Sequence, residues 1–167
     1  MLTTPFEKFP DSARVWVYGA DRKLDTASEQ ALLGEVDNYL TIWTAHGTPL
    51  SAARDWRGGR FLTIAVDQEE AGASGCSIDG LFRALKSLEQ RIQASIVTSG
   101  LIFFRGKDGE IRSVSRDEFG VRGASGDVDS NTEVFDLSVT TLGEWRSRFS
   151  SRVSDSWHSS LLAARAG

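Results

Sequence analysis

Hydrophobic positions along this chain follow two periods, one typical of strands and the other of helices. Short runs rich in β-branched and aromatic residues predict five strands, at 14–18, 60–66, 101–104, 111–114 and 133–137. The nearly continuous apolar run at 60–66 is typical of a central strand that is covered on both faces. Gly106-Lys-Asp-Gly109 predicts a hairpin turn between the third and fourth strands.

Apolar residues at helical spacing, often preceded by capping residues, predict the helices. The pairs Thr26 with Glu29, Ser115 with Glu118 and Thr141 with Glu144 have the spacing of a capping box. Further helices are predicted at 78–92 and 154–166, the latter with Trp157, Leu161 and Leu162 turned inward. The polar, glycine-containing stretches at 53–59 and 120–131 predict loops.

The order of these elements, β-α-β-α-β-β-(α)-β-α-α, predicts the fold class. We expect an α+β protein with an α/β-like N-terminal half and a mixed β-sheet of about five strands, against which the helices pack. A length of 167 residues is enough for a hydrophobic core and favours a single domain over 1–167, with a sub-lobe allowed at 101–167.

The composition of the chain limits the classes of molecule that it is expected to bind. A net charge of −4 and a pI of about 5.2 give no basic excess for nucleic acid. Because no apolar run is long enough to span a bilayer and no signal-peptide pattern is present, we expect a cytoplasmic protein without membrane contact. One cysteine and two histidines favour neither a disulfide nor a metal site, and no motif indicates a cofactor. The oligomeric state is left open.

The sequence Gly72-Ala-Ser-Gly-Cys-Ser-Ile-Asp79 holds the only cysteine and joins a predicted strand to a predicted helix. Free backbone N–H groups and the helix dipole at such a position favour a bound anion or a thiolate. We therefore predict a ligand-binding loop that uses Gly72, Ser74, Gly75 and Ser77. The alternative is a tight turn in which Cys76 or Ser77 only caps the helix.

Other residues are predicted to surround this loop. Trp43 near the end of the first long helix and Asp67 at the end of the apolar strand fall beside it if the topology is right, and the pair Trp157 and His158 is a further candidate. An unidentified small anionic ligand or a protein partner is the expected occupant. The main hypothesis is thus a small-ligand or protein-binding domain with its site at Gly72–Asp79.

Two alternatives remain. In the first, the protein is a thiol-dependent enzyme in which Cys76 is the nucleophile, His46 the base and Asp79 the group that orients the imidazole. The competing structural interpretation, a buried and inert cysteine, is favoured because free cysteines are among the most buried residues. In the second, residues 101–150 dock a peptide as an adaptor.

Several segments in the same order along the chain resemble one small bacterial protein family, whose members are often labelled ATPases of ABC transporters. These segments are Ala13–Tyr18, Trp43-Thr-Ala-His-Gly47, Gly72–Asp79, Thr132-Glu-Val-Phe135 and Ser156-Trp-His158. The resemblance covers nearly the whole chain but implies little about function.

The ATPase label is not supported by the residues. An ABC-type ATPase needs the phosphate-binding pattern G-x-x-x-x-G-K-[ST], and Gly72-Ala-Ser-Gly-Cys-Ser lacks both the lysine and the spacing. A second resemblance, from Phe119 through Gly126–Thr132 to Trp145, is to GYF-like adaptor domains, which bind proline-rich peptides through aromatic grooves. This resemblance is the basis of the adaptor alternative.

Overall fold

The computed structural model describes residues 5–45, 48–49, 51–67, 75–97 and 100–166. Contacts within the chain divide it into two compact units. Unit 1 comprises Met1–Thr98 and Ser138–Arg146, and unit 2 comprises Ser99–Leu137 and Ser147–Gly167. Unit 2 begins close to the start of the predicted sub-lobe, but residues 138–146 return to unit 1. Whether the two units form a single domain stays a prediction.

The described residues form five α-helices and nine short strands, which confirms the predicted α+β class. The strands are β1 (Arg14–Gly19), β2 (Thr44–Ala45), β3 (Thr48–Pro49), β4 (Ser51–Arg57), β5 (Phe61–Asp67), β6 (Ile102–Arg105), β7 (Ile111–Val114), β8 (Glu133–Phe135) and β9 (Ser150–Arg152). The helices are α1 (Thr26–Ile42), α2 (Gly75–Ile92), α3 (Arg116–Ala124), α4 (Leu142–Arg148) and α5 (Ser159–Ala166). None of the helices within the described ranges combines the length and the hydropathy that crossing a bilayer requires.

Unit 1 contains a three-stranded sheet with the order β1-β5-β4, and both pairings are antiparallel. This arrangement differs from the predicted mixed sheet, because the polar stretch at 53–59 contains most of a strand that the prediction omitted. Gly58 and Gly59, with φ values of 66° and 67°, form the tight turn between β4 and β5. A turn this short can join only antiparallel neighbours.

The core of unit 1 lies on both sides of β5, as the apolar run predicted. Leu62, Ile64 and Val66 of β5 pack against Leu32 of α1 and Leu85 of α2. Antiparallel register places Ala52, Arg54 and Trp56 on this helix-covered face and Ala53, Asp55 and Arg57 on the other. On that other side, Phe6, in a short 3-10 helix (Phe6–Lys8), meets Trp145 edge to face at 5.1 Å.

Unit 2 contains a four-stranded antiparallel sheet with the order β7-β6-β8-β9. Phe104, Phe119, Val134 and Val153 share its core. Helices α3 and α5 pack closely where Gly123 lacks a side chain, since a Cβ there would lie 2.4 Å from Cδ2 of Leu162. The strands of the two units thus form separate antiparallel sheets, whereas the prediction was one mixed sheet of about five strands.

Two of the helix caps agree with the prediction, and two other helix starts differ from it. Ser115 and Thr141 cap their helices as expected, accepting hydrogen bonds from the N–H groups of Glu118 at 3.1 Å and Glu144 at 3.2 Å. The cap of α1 is instead Asp25, one residue before Thr26, which accepts from Ser28 N–H at 2.8 Å. The last helix begins at Ser159 rather than at residue 154, and it follows a short 3-10 turn.

Two further predictions of local structure were wrong. Residues 120–131 are not wholly loop, because α3 continues to Ala124 and ends with Ser125 N–H bonded to the Val121 carbonyl at 3.0 Å. Trp157 does not point inward: 39% of its surface is exposed. It precedes α5, so the helical spacing from which its inward direction was inferred does not apply to it.

Candidate functional site

Two of the predicted site residues, Trp43 and Asp67, belong to the described part of unit 1. Asp67 ends β5 and is opposite Ser51, the first residue of β4. Trp43 follows the last residue of α1 and is buried in the same core cluster as Val66. Trp43 is thus a core residue rather than an open aromatic wall.

The predicted loop falls mostly outside the described residues. Gly72, Ser74 and His46 lie outside them, and for Gly75, Cys76 and Ser77 only the helical backbone is described. Helix α2 begins at Gly75, so Cys76 belongs to its first turn, as predicted. Asp79 is exposed on α2. The triad of Cys76, His46 and Asp79 stays a prediction.

Sequence reasoning missed a close contact between α1 and the first turns of α2. A Cβ at Gly80 would lie 2.3 Å from the Tyr39 hydroxyl oxygen, so only glycine leaves room for this phenol. The Tyr39 ring is 5.8 Å from that of Trp43, the residue that follows the end of α1. Burial raises the pKa of Tyr39, an effect that the Arg83 charge opposes.

The other predicted pair, Trp157 and His158, belongs to unit 2. The two rings stack with centroids 3.9 Å apart and planes 23° apart. The Arg116 guanidinium lies 5.4 Å from the Trp157 ring centroid. On the core side, Phe119 meets the imidazole edge to face at 6.3 Å. Trp157 is partly open to solvent, whereas His158 is 1% exposed and is not accessible to a ligand.

The environment of His158 keeps its imidazole neutral. Burial lowers its pKa to about 4, with a smaller contribution from Arg116, while Asp136 acts in the opposite direction. The Ser156 hydroxyl oxygen lies 2.5 Å from Nδ1. We assign Nδ1 as the acceptor of this hydroxyl proton, which leaves the ring proton on Nε2. The hydrogen bond between Ser156 and His158 orients the imidazole within the core.

Residues 101–150 offer no exposed aromatic surface. Every aromatic side chain in this range is buried, namely Phe103, Phe104, Phe119, Phe135, Trp145 and Phe149. A proline-rich peptide docks on exposed aromatic rings, so residues 101–150 lack the aromatic groove that the adaptor alternative requires.

A groove of about 330 Å³ in unit 1 was not predicted from the sequence. Its walls come from the C-terminal half of α1 and from the residues before and at the first 3-10 helix, and its floor comes from β4. The lining residues are Asp37, Leu40, Thr41, Ala52, Ala53, Arg54, Pro5 and Phe6. A volume of this size falls within the range of small-molecule and peptide sites.

The groove combines an apolar lining with one ion pair. Small side chains at Ala52 and Ala53 leave the space open, and Leu40 and Phe6 supply larger apolar groups. Arg54 donates to both carboxylate oxygens of Asp37, at 2.8 and 2.9 Å. This pair is fixed in place and neutralises its own charge, so the groove carries polarity without net charge.

A second pocket, of about 280 Å³, lies in unit 2 at the β6–β7 turn. Its charged lining is internally paired: Arg112 with Asp108, and Arg122 with Asp127 at 2.7 Å. Lys107 donates to the Gly126 carbonyl at 3.0 Å. Because each cation already has an acceptor, this pocket is a weaker candidate for ligand binding.

No cluster of three or more histidine, cysteine, aspartate or glutamate residues that could hold a metal ion occurs in the described part of the chain. Comparison of the sequence and structure with family models, with curated proteins and with solved structures finds no match.

Proposed function

We propose that this protein is a binding domain that takes a small ligand or a segment of a protein partner in the groove between α1, β4 and the first 3-10 helix. The observation that carries the proposal is the groove itself, about 330 Å³ in volume, with an apolar lining and one fixed ion pair. Sites of this kind bind through shape and apolar contact, and a few polar groups set orientation.

The position of the groove supports the proposal further. Thr41 and Ala52 belong to the end of α1 and the start of β4, and Ala52 follows Ser51, which is opposite Asp67. Ile42, the residue after Thr41, is 77% exposed, which is unusual for a large apolar side chain. The predicted ligand-binding role of the loop at Gly72–Asp79 is kept as a further part of the proposal.

A fragment screen by NMR tests the proposal directly. We expect fragments of a chemically diverse library to shift the amide signals of Leu40, Thr41 and Ala52–Arg54 in the full chain. Thr41 is exposed, so Thr41→Phe fills the groove without disturbing the core. It should weaken fragment binding by roughly tenfold or more, because the bulky ring occupies the ligand's volume.

Ala31→Phe is the matched control, since Ala31 is also exposed on α1 but does not line the groove. Binding to this variant should equal that to the wild-type protein. Fragments that shift signals elsewhere, or that bind the Thr41→Phe variant equally well, would show that the groove is not the site.

A further inference from the structure

The groove lies along the outer edge of a sheet and not on one of its faces. Strand β4 is the last strand in the order β1-β5-β4, and among the described residues it pairs only with β5. Ala52 and Ala53 are consecutive, so their side chains point to opposite faces, yet both line the same groove. A groove that both faces share has the strand edge as its floor.

The two walls stand on opposite sides of this edge. Leu40 and Thr41 rise from α1 on the face that carries Ala52 and Arg54, where Leu40 joins the core cluster. Phe6 lies on the face that carries Ala53, next to Trp145, whose ring is in turn 4.3 Å from the Arg57 guanidinium. The walls therefore form a slot in line with the sheet.

An edge strand offers hydrogen bonds as well as a surface. In an antiparallel sheet, alternate residues of the last strand direct both N–H and C=O outward. No other backbone group in the described ranges bonds to that side of Ala52, Ala53 or Arg54. A compact ligand cannot satisfy a row of such groups, whereas an extended chain matches their spacing.

The walls of the groove argue against a second copy of this protein as the occupant. In a second copy, β4 lies between its own α1 and Phe6 walls, so its edge could enter this groove only if the two sets of walls collided. An extended segment without such walls can enter, and an uncharged one leaves no charge unpaired, because Asp37 already neutralises Arg54. The apolar walls then favour small or medium apolar side chains on both faces of the added strand.

We infer that the groove takes an extended, uncharged polypeptide segment of a partner protein, which pairs with β4 as a fourth strand of the unit 1 sheet. The inference rests on the proposed function and specifies the class of ligand. Alternate side chains of the segment contact Leu40 and Thr41 on one wall and Phe6 on the other. The floor from Ala52 to Arg54 spans three residues, about 10 Å of paired strand.

A displayed library of random octapeptides, selected on the full chain and counter-selected on the Thr41→Phe variant, provides the probe. We expect enriched peptides to be uncharged at their centre and to shift the amide signals of β4. The best peptide is then synthesised with a single N-methyl group at each position in turn. Because only alternate residues of an added strand donate to β4, methylation should weaken binding at least tenfold at every second position and little between them.

Each other outcome overturns the inference. No enrichment over the Thr41→Phe variant, or tolerance of N-methylation without a two-residue period, excludes strand addition. A concentration-dependent dimer with shifted β4 amides assigns the edge to a second copy instead. If fragments bind the groove but no peptide does, only the strand-addition inference fails; if neither binds, the proposed function fails with it.

Discussion

The Asp37 carboxylate and the Arg54 guanidinium meet through two parallel hydrogen bonds, Nε to Oδ1 at 2.8 Å and Nη2 to Oδ2 at 2.9 Å. They join the exposed side of α1 to the edge strand β4 at the wall of the groove. The hydrogen bond with Asp37 is also the main cause of the raised pKa of Arg54. The pair fixes a polar group within a lining that is otherwise largely apolar.

Removal of the Asp37 charge should affect binding more than folding. Because the side chains of Arg54 and Asp37 are 28% and 54% exposed, Asp37→Asn should lower the free energy of unfolding by at most about 1 kcal/mol. It should also leave the groove with a positive charge, and acidic ligands should gain affinity at low salt.

Urea unfolding and ligand titrations at low and high salt measure both effects. Asp108→Asn is a matched control, because Asp108 forms an exposed ion pair with Arg112 in the other unit. An equal change in ligand affinity for both variants would contradict the role given to Asp37.

The buried imidazole of His158 should make stability depend on pH. Burial lowers its pKa from 6.5 to about 4, so between these values the unfolded chain binds a proton that the folded chain does not. Stability is therefore fully present above about pH 6.5 and is lost as the pH falls toward 4, by up to about 3 kcal/mol.

Urea unfolding from pH 7.5 to 4.5 follows this loss, and His158→Gln should remove most of it. In a His46→Gln background only one histidine remains, so NMR titration reports the pKa of His158 alone. A titration midpoint near 6.5 would contradict the buried, neutral imidazole.

Two helix glycines should respond in opposite ways to alanine. At Gly34 in α1 a Cβ meets nothing within 4 Å, so Gly34→Ala should stabilise the protein by about 0.5–1 kcal/mol through helix propensity. At Gly80 in α2 the same change places Cβ 2.3 Å from the Tyr39 hydroxyl, so the gain should be cancelled or reversed.

Tyr39→Phe removes only the overlapping atom, since the next ring atom, Cζ, is at an ordinary 3.5 Å. In a double-mutant cycle, Gly80→Ala should therefore be less harmful in the Tyr39→Phe background than in the wild type. Additive effects would show that Tyr39 and Gly80 are not in contact.

The thiol alternative predicts a reactive Cys76. Its place in the first turn of α2 favours the thiolate, so iodoacetamide should modify it well below pH 8. Mass spectrometry measures the rate, and Cys76→Ser, which leaves no thiol in the chain, is the control. A thiol that reacts only after unfolding would rule out the enzymatic hypothesis.

Strands and helices with strong apolar periodicity or a clear cap could be predicted from the sequence, whereas the polar strand β4 could not. The run Phe61–Val66 is buried on both faces, so its composition alone indicates a central strand. Strand β4 has only partly buried side chains between its exposed ends, and its Arg54, Asp55 and Arg57 are typical of a loop. It is a strand because the glycine turn folds it back onto β5, an interaction between segments that local pattern does not show.

The same limit applies to the site. The start of α2 near Cys76 could be predicted, because glycines and a change of period mark it. The groove could not, because its lining comes from Phe6, Leu40 and Ala53, which are far apart in sequence and chemically ordinary. The depressed pKa of His158 likewise results from burial, which the sequence around Trp157 did not indicate.

The return of residues 138–146 to the first unit has a consequence for synthesis on the ribosome. Strand β1 is bordered by this segment, with Val15 N–H bonded to the Thr140 carbonyl at 3.0 Å and Leu142 N–H to the Ala13 carbonyl at 2.9 Å. The outer edge of β1 therefore gains this neighbour only after residues 138–142 have left the exit tunnel. Translation that stops before residue 140 leaves the outer edge of β1 without this border, and the nascent chain is then exposed to aggregation.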